Sequence, residues 1–277
     1  MQASDGAGVR IRRSLGASPA LRLDPFLMLD EFGSEQAADY TGGFPAHPHR
    51  GFETVTYMLA GHMRHEDHLG NQGDLGPGDV QWMTAGRGIV HSEMPQQRDG
   101  LMHGFQLWIN LPARDKMQPA RYRDIPAAQI PRLDLPGGGE LRVIAGEYAG
   151  PAGLVQGPAP ATPTQPLYLD LLLPPGARFE LPLADSRNAL LYVYAGQARI
   201  EGEDIAAQTA AVLGAGDEVV VEAAPGAALK ALLLAAEPIG EPVAQYGPFV
   251  MNTHAEIEQT LRDYRDGRLT AAATAES

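Results

Sequence analysis

Four residues have the types and spacing to do chemistry together: His47 and His49, then His91 and Glu93. Each pair is spaced i, i+2, and alternate side chains of an extended strand share one face. Two such strands opposed across a small barrel would bring three imidazoles and a carboxylate to one point. That donor set suits a divalent transition metal of intermediate softness and leaves positions free for other ligands; Fe, Mn, Co, Ni and Cu all accept it. Glu53 lies an even number of residues from His47 and His49, so parity alone would put it on their face as an alternative ligand.

The elements that must position these donors read as strands. Short apolar segments separated by Gly, Pro and Asp turns recur at the spacing of sandwiches and barrels. They include residues 54–59, 80–84, 167–173, 190–194 and 218–222. Residues 104–111 are apolar on both faces, which suits a strand buried between layers. The helix signal comes late. Thr253 and Glu256 form a capping box, Ile257, Leu261 and Tyr264 make an apolar stripe, and Gly267 stands where a C-terminal cap belongs. Residues after Leu269 read as a frayed tail. Residues 131–139 read as a linker and 150–166 as a long exposed loop. This divides the chain into a domain over 1–130, a linker over 131–139, and a second domain over 140–277 that ends in the helix.

Composition narrows the function. The 277 residues suffice for two ordinary domains, each with its own core. A net charge of −13 argues against direct nucleic-acid binding and against an anionic membrane surface. The absence of Cys excludes disulfides, thiolate ligands and thiol nucleophiles. The first 21 residues are interrupted by Gly and Arg, and no apolar run reaches the roughly 18 residues of a membrane span. A soluble, cytoplasmic, monomeric protein is the expectation.

The two halves resemble each other. Tyr57–Gly61 (YMLAG) matches Tyr192–Gly196 (YVYAG) at an offset of 135, and Leu75–Asp79 (LGPGD) matches Leu213–Asp217 (LGAGD) at 138. Carried across, His47 and His49 fall on Pro182 and Ala184, and His91 and Glu93 on Leu229 and Ala231. The second half is therefore expected to keep the fold and lack the donors.

The stretch GFPAHPHRGFE over 43–53, with Gly78-Asp79 and GRGIVHSE over 86–93, resembles the paired motifs of cupins. Over its full length, with DPFLMLDEFG at 24–33 and GPFVMN at 247–252, the chain resembles the pirins, a bicupin family. The resemblance implies an all-β fold of two tandem jelly-roll barrels with a short C-terminal helix. It implies a metal, usually iron, on His47, His49, His91 and Glu93, with an empty second barrel. It favours Glu93 over Glu53 as fourth ligand and leaves Glu53 to orient an imidazole. The activity implied is quercetin 2,3-dioxygenation, an opening of the flavonol ring by O₂ with loss of carbon monoxide. A flavonol-like aromatic substrate would sit in an apolar cavity, for which Phe44, Phe52, Met94 and Phe105 are candidate linings, with Glu93 as ligand and proton acceptor. The competing class is a metal-dependent binding protein that regulates a transcription factor or metabolic enzyme. A third is a different cupin reaction, such as isomerisation of a small polar substrate.

Other conspicuous residues have plainer readings. His62, His65 and His68 are expected on a solvated hairpin around Gly70-Asn71. His103 is expected to bond a carbonyl, and Arg10, Arg12 and Arg13 to form a solvated edge strand. Arg87, between two glycines, belongs to a tight turn, and Trp82, Met83 and Trp108 are core or cavity lining.

Overall fold

The computed structural model describes residues 1–151 and 153–271; residues 272–277 of the expected frayed tail lie outside them. Two compact units emerge, and neither follows chain order. The first takes Met1–Ala17, Phe26–Pro126 and the segment from Ile239 onward; the second takes Ser18–Pro25 and Ala127–Pro238.

Eleven strands open the first unit: β1 (Gln2–Asp5), β2 (Val9–Leu15), β3 (Phe26–Ser34), β4 (Phe44–His49), β5 (Phe52–Ala60), β6 (Met63–Asp67), β7 (Gln72–Leu75), β8 (Val80–Thr84), β9 (Ile89–Pro95), β10 (Met102–Asn110) and β11 (Arg121–Ile125). They form a seven-stranded sheet, β1-β2-β3-β10-β5-β8-β11, and a four-stranded sheet, β4-β9-β6-β7. The apolar run expected to be a buried strand is β10, paired on one side with β3 and on the other with β5.

The second unit holds β12 (Arg132–Asp134), β13 (Glu140–Ala145), β14 (Glu147–Gly150), β15 (Gly153–Gln156), β16 (Leu167–Leu173), β17 (Arg178–Pro182), β18 (Asn188–Ala195), β19 (Gln197–Ile200), β20 (Glu203–Ala206), β21 (Thr209–Val212), β22 (Glu218–Ala223) and β23 (Leu229–Ala236). Its main sheets run β12-β13-β16-β23-β18-β21 and β17-β22-β19-β20. The expected linker over 131–139 therefore contains a paired strand, and the expected loop over 150–166 begins with the β14–β15 hairpin.

The duplication is complete at the level of topology. β3 to β10 and β16 to β23 are two runs of eight strands, paired as β3-β10-β5-β8 with β4-β9-β6-β7, and as β16-β23-β18-β21 with β17-β22-β19-β20. One of the two sequence matches does not fit this scheme. Leu75–Asp79 leads into β8, whereas Leu213–Asp217 follows β21, the counterpart of β8. The counterpart of β9 is thus β22, not the start of β23, so Leu229 and Ala231 are not the equivalents of His91 and Glu93. Nor does Ala184 lie on β17. The residues of β17 and β22 that join the second core are Phe179, Leu181, Val219, Val221 and Ala223. At the corrected correspondence the core-facing side chains of these two strands are apolar.

The final segment carries β24 (Ala244–Tyr246), β25 (Phe249–Met251) and α1 (His254–Arg265). The capping box is present, and Gly267 has φ +70° just beyond the helix. The expected stripe is shorter than supposed. Ile257 and Thr260 are buried and Leu261 half-buried, while Tyr264 is exposed and only flanks Phe249. This segment packs on the first unit, because Phe249, Met251, Ile257 and Leu269 cluster with Val90 of β9. The sequence-based division assigned it to the second domain; its apolar residues find their partners in the first.

Candidate metal centre

β4 and β9 are direct neighbours, and their register sets His47 opposite His91. Residues opposed across an antiparallel pair share a face, so His49 and Glu93, two residues further on, join them. One nitrogen of each of His47, His49 and His91 lies within 4.8 Å of the others. The rings are 4.4–4.8 Å apart between centroids. His49 and His91 are 2% exposed, and burial, ahead of the neighbouring imidazoles, lowers both pKa values well below the ordinary histidine value. Both are thus held in the neutral form that ligates metals.

Each ring has a nitrogen to offer. His47 donates Nδ1–H to the Pro45 carbonyl at 2.8 Å, which leaves its Nε2 lone pair free. His91 engages His65 through Nδ1, and its Nε2 is buried without a hydrogen-bond partner, as are both nitrogens of His49. Buried imidazole nitrogens left unpaired are costly, and a shared cation removes that cost. The three histidines fit a single metal ion.

Glu93 faces the same space but stands apart from the cluster. Its carboxylate takes a hydrogen bond from Thr56 at 2.9 Å and another from Gln106 at 3.4 Å. Glu53 does not join the site. Arg50 and Gly51 separate β4 from β5, and Gly51, at φ +91°, breaks the alternation from which parity was counted. On β5 the cavity-facing residue is Thr56, paired with Gln106, whereas Glu53 pairs with Ile109 and Thr84 on the other face. Its Oε1 accepts from Thr84 at 2.7 Å, its Oε2 has no partner, and no hydrogen bond reaches an imidazole.

A cavity of about 610 Å³ adjoins the cluster and reaches His47, His49 and Glu93. Leu27, Phe32, Phe44, Met63 and Trp108 give it an apolar wall, and Thr56 and Gln106 are polar points on it. Of the four expected linings only Phe44 takes part. Phe52 is fully buried behind His49 and Trp108, at centroid distances of 5.1 and 4.4 Å. Met94 and Phe105 neighbour Glu93 and Gln106 along their strands and therefore point to the opposite faces. Gln245, Gly247 and Pro248 complete the wall from the C-terminal segment.

Three further residues depart from their sequence-based readings. His62 and His68 are exposed as supposed, but His65 is 0% exposed. The β6–β9 register puts it opposite Glu93 and so on the ligand face, a long-range fact invisible to local spacing. His103 meets the carboxylate of Glu31 at 2.8 Å, a partner its local sequence does not suggest. Arg13 is no solvated edge residue. It grips Asp30 through two nitrogens at 2.7 and 2.9 Å and also bonds Asp5, against the cavity.

Fold and site together define a bicupin in which, among the described residues, the metal-competent cluster belongs to the first barrel. Residues 8–109 match the family model for Pirin, and residues 168–270 that for the Pirin C-terminal cupin domain. The chain belongs to the pirin family. It is 54% identical to a "putative quercetin 2,3-dioxygenase" of Pseudomonas aeruginosa over 270 residues, covering 96% of this chain and 94% of the relative. It is 52% identical to a pirin-like protein of Caulobacter vibrioides, covering 96% and 94%. Among solved structures it is similar to a quercetin 2,3-dioxygenase from Acinetobacter baumannii, with a TM-score of 0.88, 34% identity and coverage of 99% and 96%. Among the described residues, no helix is long and apolar enough to cross a membrane.

Proposed function

We propose that the chain is an iron-dependent flavonol 2,3-dioxygenase of the quercetinase type, with Fe(II) held by His47, His49, His91 and Glu93. It would open the flavonol ring with O₂ and release carbon monoxide. The carrying observation is the convergence of unpartnered imidazole nitrogens on a largely apolar cavity of about 610 Å³. That volume falls within the roughly 300–1,000 Å³ of small-molecule sites. The names of the Pseudomonas and Acinetobacter proteins support the substrate class.

A divalent ion bound here would supply the positive charge that acidifies a coordinated hydroxyl. The chain's own residues account for the remainder. Trp108, Phe32 and Met63 exclude water and pack against an aromatic substrate. Glu93 takes the proton of the substrate's hydroxyl on a carboxylate oxygen. Its surroundings support that role. Thr56 has one hydroxyl hydrogen but faces two acceptors, Glu93 Oε1 at 2.9 Å and Gln106 Oε1 at 2.6 Å. Once Glu93 has taken the substrate's proton on Oε1, it can donate to Thr56, Thr56 to Gln106 Oε1, and the Gln106 amide to Glu93 Oε2, so that each hydrogen has one acceptor.

Iron-loaded protein mixed with quercetin in air should bleach the flavonol absorbance and release carbon monoxide. His91→Ala should abolish turnover with the fold intact by circular dichroism. Glu93→Gln should slow turnover by about 100-fold or more, the usual contribution of a positioned base. A Glu93→Gln protein that keeps both its metal and full turnover would end the base assignment. A second reading, a metal-dependent regulator of another protein, draws support from Arg50, which links the turn beside His49 to α1. Partner capture by iron-loaded protein that lacks turnover would favour it.

A further inference from the structure

We propose that His65 is a positioning residue for the metal centre, accepting the Nδ1 hydrogen of His91 and so directing the Nε2 lone pair of His91 to the ion. This role rests on the metal reading above and adds a residue outside the ligand set. The two Nδ1 atoms are 3.2 Å apart, with ring centroids at 4.9 Å and planes inclined by 52°.

Two facing Nδ1 atoms share one hydrogen, and there are two ways to place it. On His65, it forces the hydrogen of neutral His91 onto Nε2 and blocks ligation. On His91, it leaves Nε2 as a lone pair, the form a metal needs. The hydrogen of His65 then sits on its own Nε2, which is buried and without a partner. Such an unsatisfied buried donor is costly. A leucine in the same place would avoid that cost, so packing alone does not account for a histidine here. Rigid surroundings fix the ring. β6 is flanked by β7 and β9, and the Tyr122 ring lies 5.4 Å from His65.

The test compares wild type with His65→Leu, His65→Asn and His65→Gln. Asparagine puts a polar atom where Nδ1 stands; glutamine puts it one bond further out, and leucine offers none. The readouts are Co(II) affinity by chelator competition, without substrate, and the His91 tautomer from long-range ¹⁵N correlations in metal-free protein. His65→Leu should bind Co(II) about 10–100-fold more weakly, the usual cost of losing such a partner. His65→Asn should recover most of that loss and keep the Nδ1–H tautomer, and His65→Gln should recover neither. Wild-type affinity in His65→Leu, or equal losses in the Asn and Gln proteins, would overturn the proposal. If His65→Leu fails to fold, the Asn and Gln proteins still decide. Wild-type protein that binds no Co(II) would strike the metal reading instead, and the tautomer would still judge His65.

Discussion

Glu53 and Glu93 are two carboxylates whose fates diverge through one turn. Glu53 is 1% exposed, and burial, opposed by hydrogen bonding from Thr84, pushes its carboxyl from 4.5 up to about 7. A folded-state pKa raised this way means that folding takes up a proton. The associated stability is fully present below pH 4.5 and is lost as pH rises through about 7. Every tenfold gain in proton affinity on folding corresponds to about 1.4 kcal/mol. Glu53→Gln should therefore raise the melting temperature more at pH 8 than at pH 5, and should bind metal as wild type does; melts at both pH values and a Co(II) titration check this. Loss of metal in that variant would restore Glu53 as a ligand. That His47, His49 and His91 converge was legible because alternation within a strand is strictly local. Glu53 was misjudged because counting cannot cross Gly51, and His65 because its neighbours are set by the pairing of β6 with β9. The errors at Met94 and Phe105 were avoidable, since each is one residue from a residue that lines the cavity.

Among elements, the two turns beside the ligand strands meet the C-terminal segment at unusually short range. A Cβ on Gly51 would lie 1.9 Å from the Val250 carbonyl oxygen, and one on Gly88 2.4 Å from that of Leu269. Both glycines have positive φ, so no other residue fits without displacing the segment. Arg50 binds the parts together. Its guanidinium donates to the Arg87 carbonyl, to Thr260 at 3.2 Å, to Asp263 at 2.8 Å and to the Leu269 carbonyl at 3.0 Å. Lys116 adds bonds to the Gly51 and Val250 carbonyls at 2.7 and 3.0 Å. Removing one partner of a buried ion pair costs about 3–5 kcal/mol. Arg50→Met should lower stability by that order in thermal melts and speed amide exchange in α1, leaving β16 and β23 unchanged. Uniform loosening of both units would refute this local account. The capping box made α1 legible, but nothing in its sequence named its docking site. Arg50 looks like any charged residue between two motif positions until its four acceptors are seen.

At the scale of the molecule, the two barrels share strand order and differ in what their facing strands carry: imidazoles on β4, β6 and β9, apolar side chains on β17 and β22. A ligand stabilises the state that binds it, by about 2.7 kcal/mol at a concentration 100 times its Kd. Co(II) should thus protect amides of β4, β6 and β9 from exchange and leave those of β17, β19 and β22 as they were. Protection spread equally over both sets would contradict a single centre in the first barrel. The duplication itself was legible in YMLAG and YVYAG, which both close the counterpart strands β5 and β18. The LGPGD and LGAGD match misled because turns of like composition recur at different corners of a barrel. The first unit is threaded from distant parts of the chain. Its clustered imidazoles are those of His47, His49 and His91, whereas Gln245, Gly247 and Pro248 of the cavity wall, and the Thr260, Asp263 and Leu269 acceptors that steady Arg50, follow the second unit in sequence. A chain truncated within that second unit would carry the three imidazoles beside an unfinished chamber.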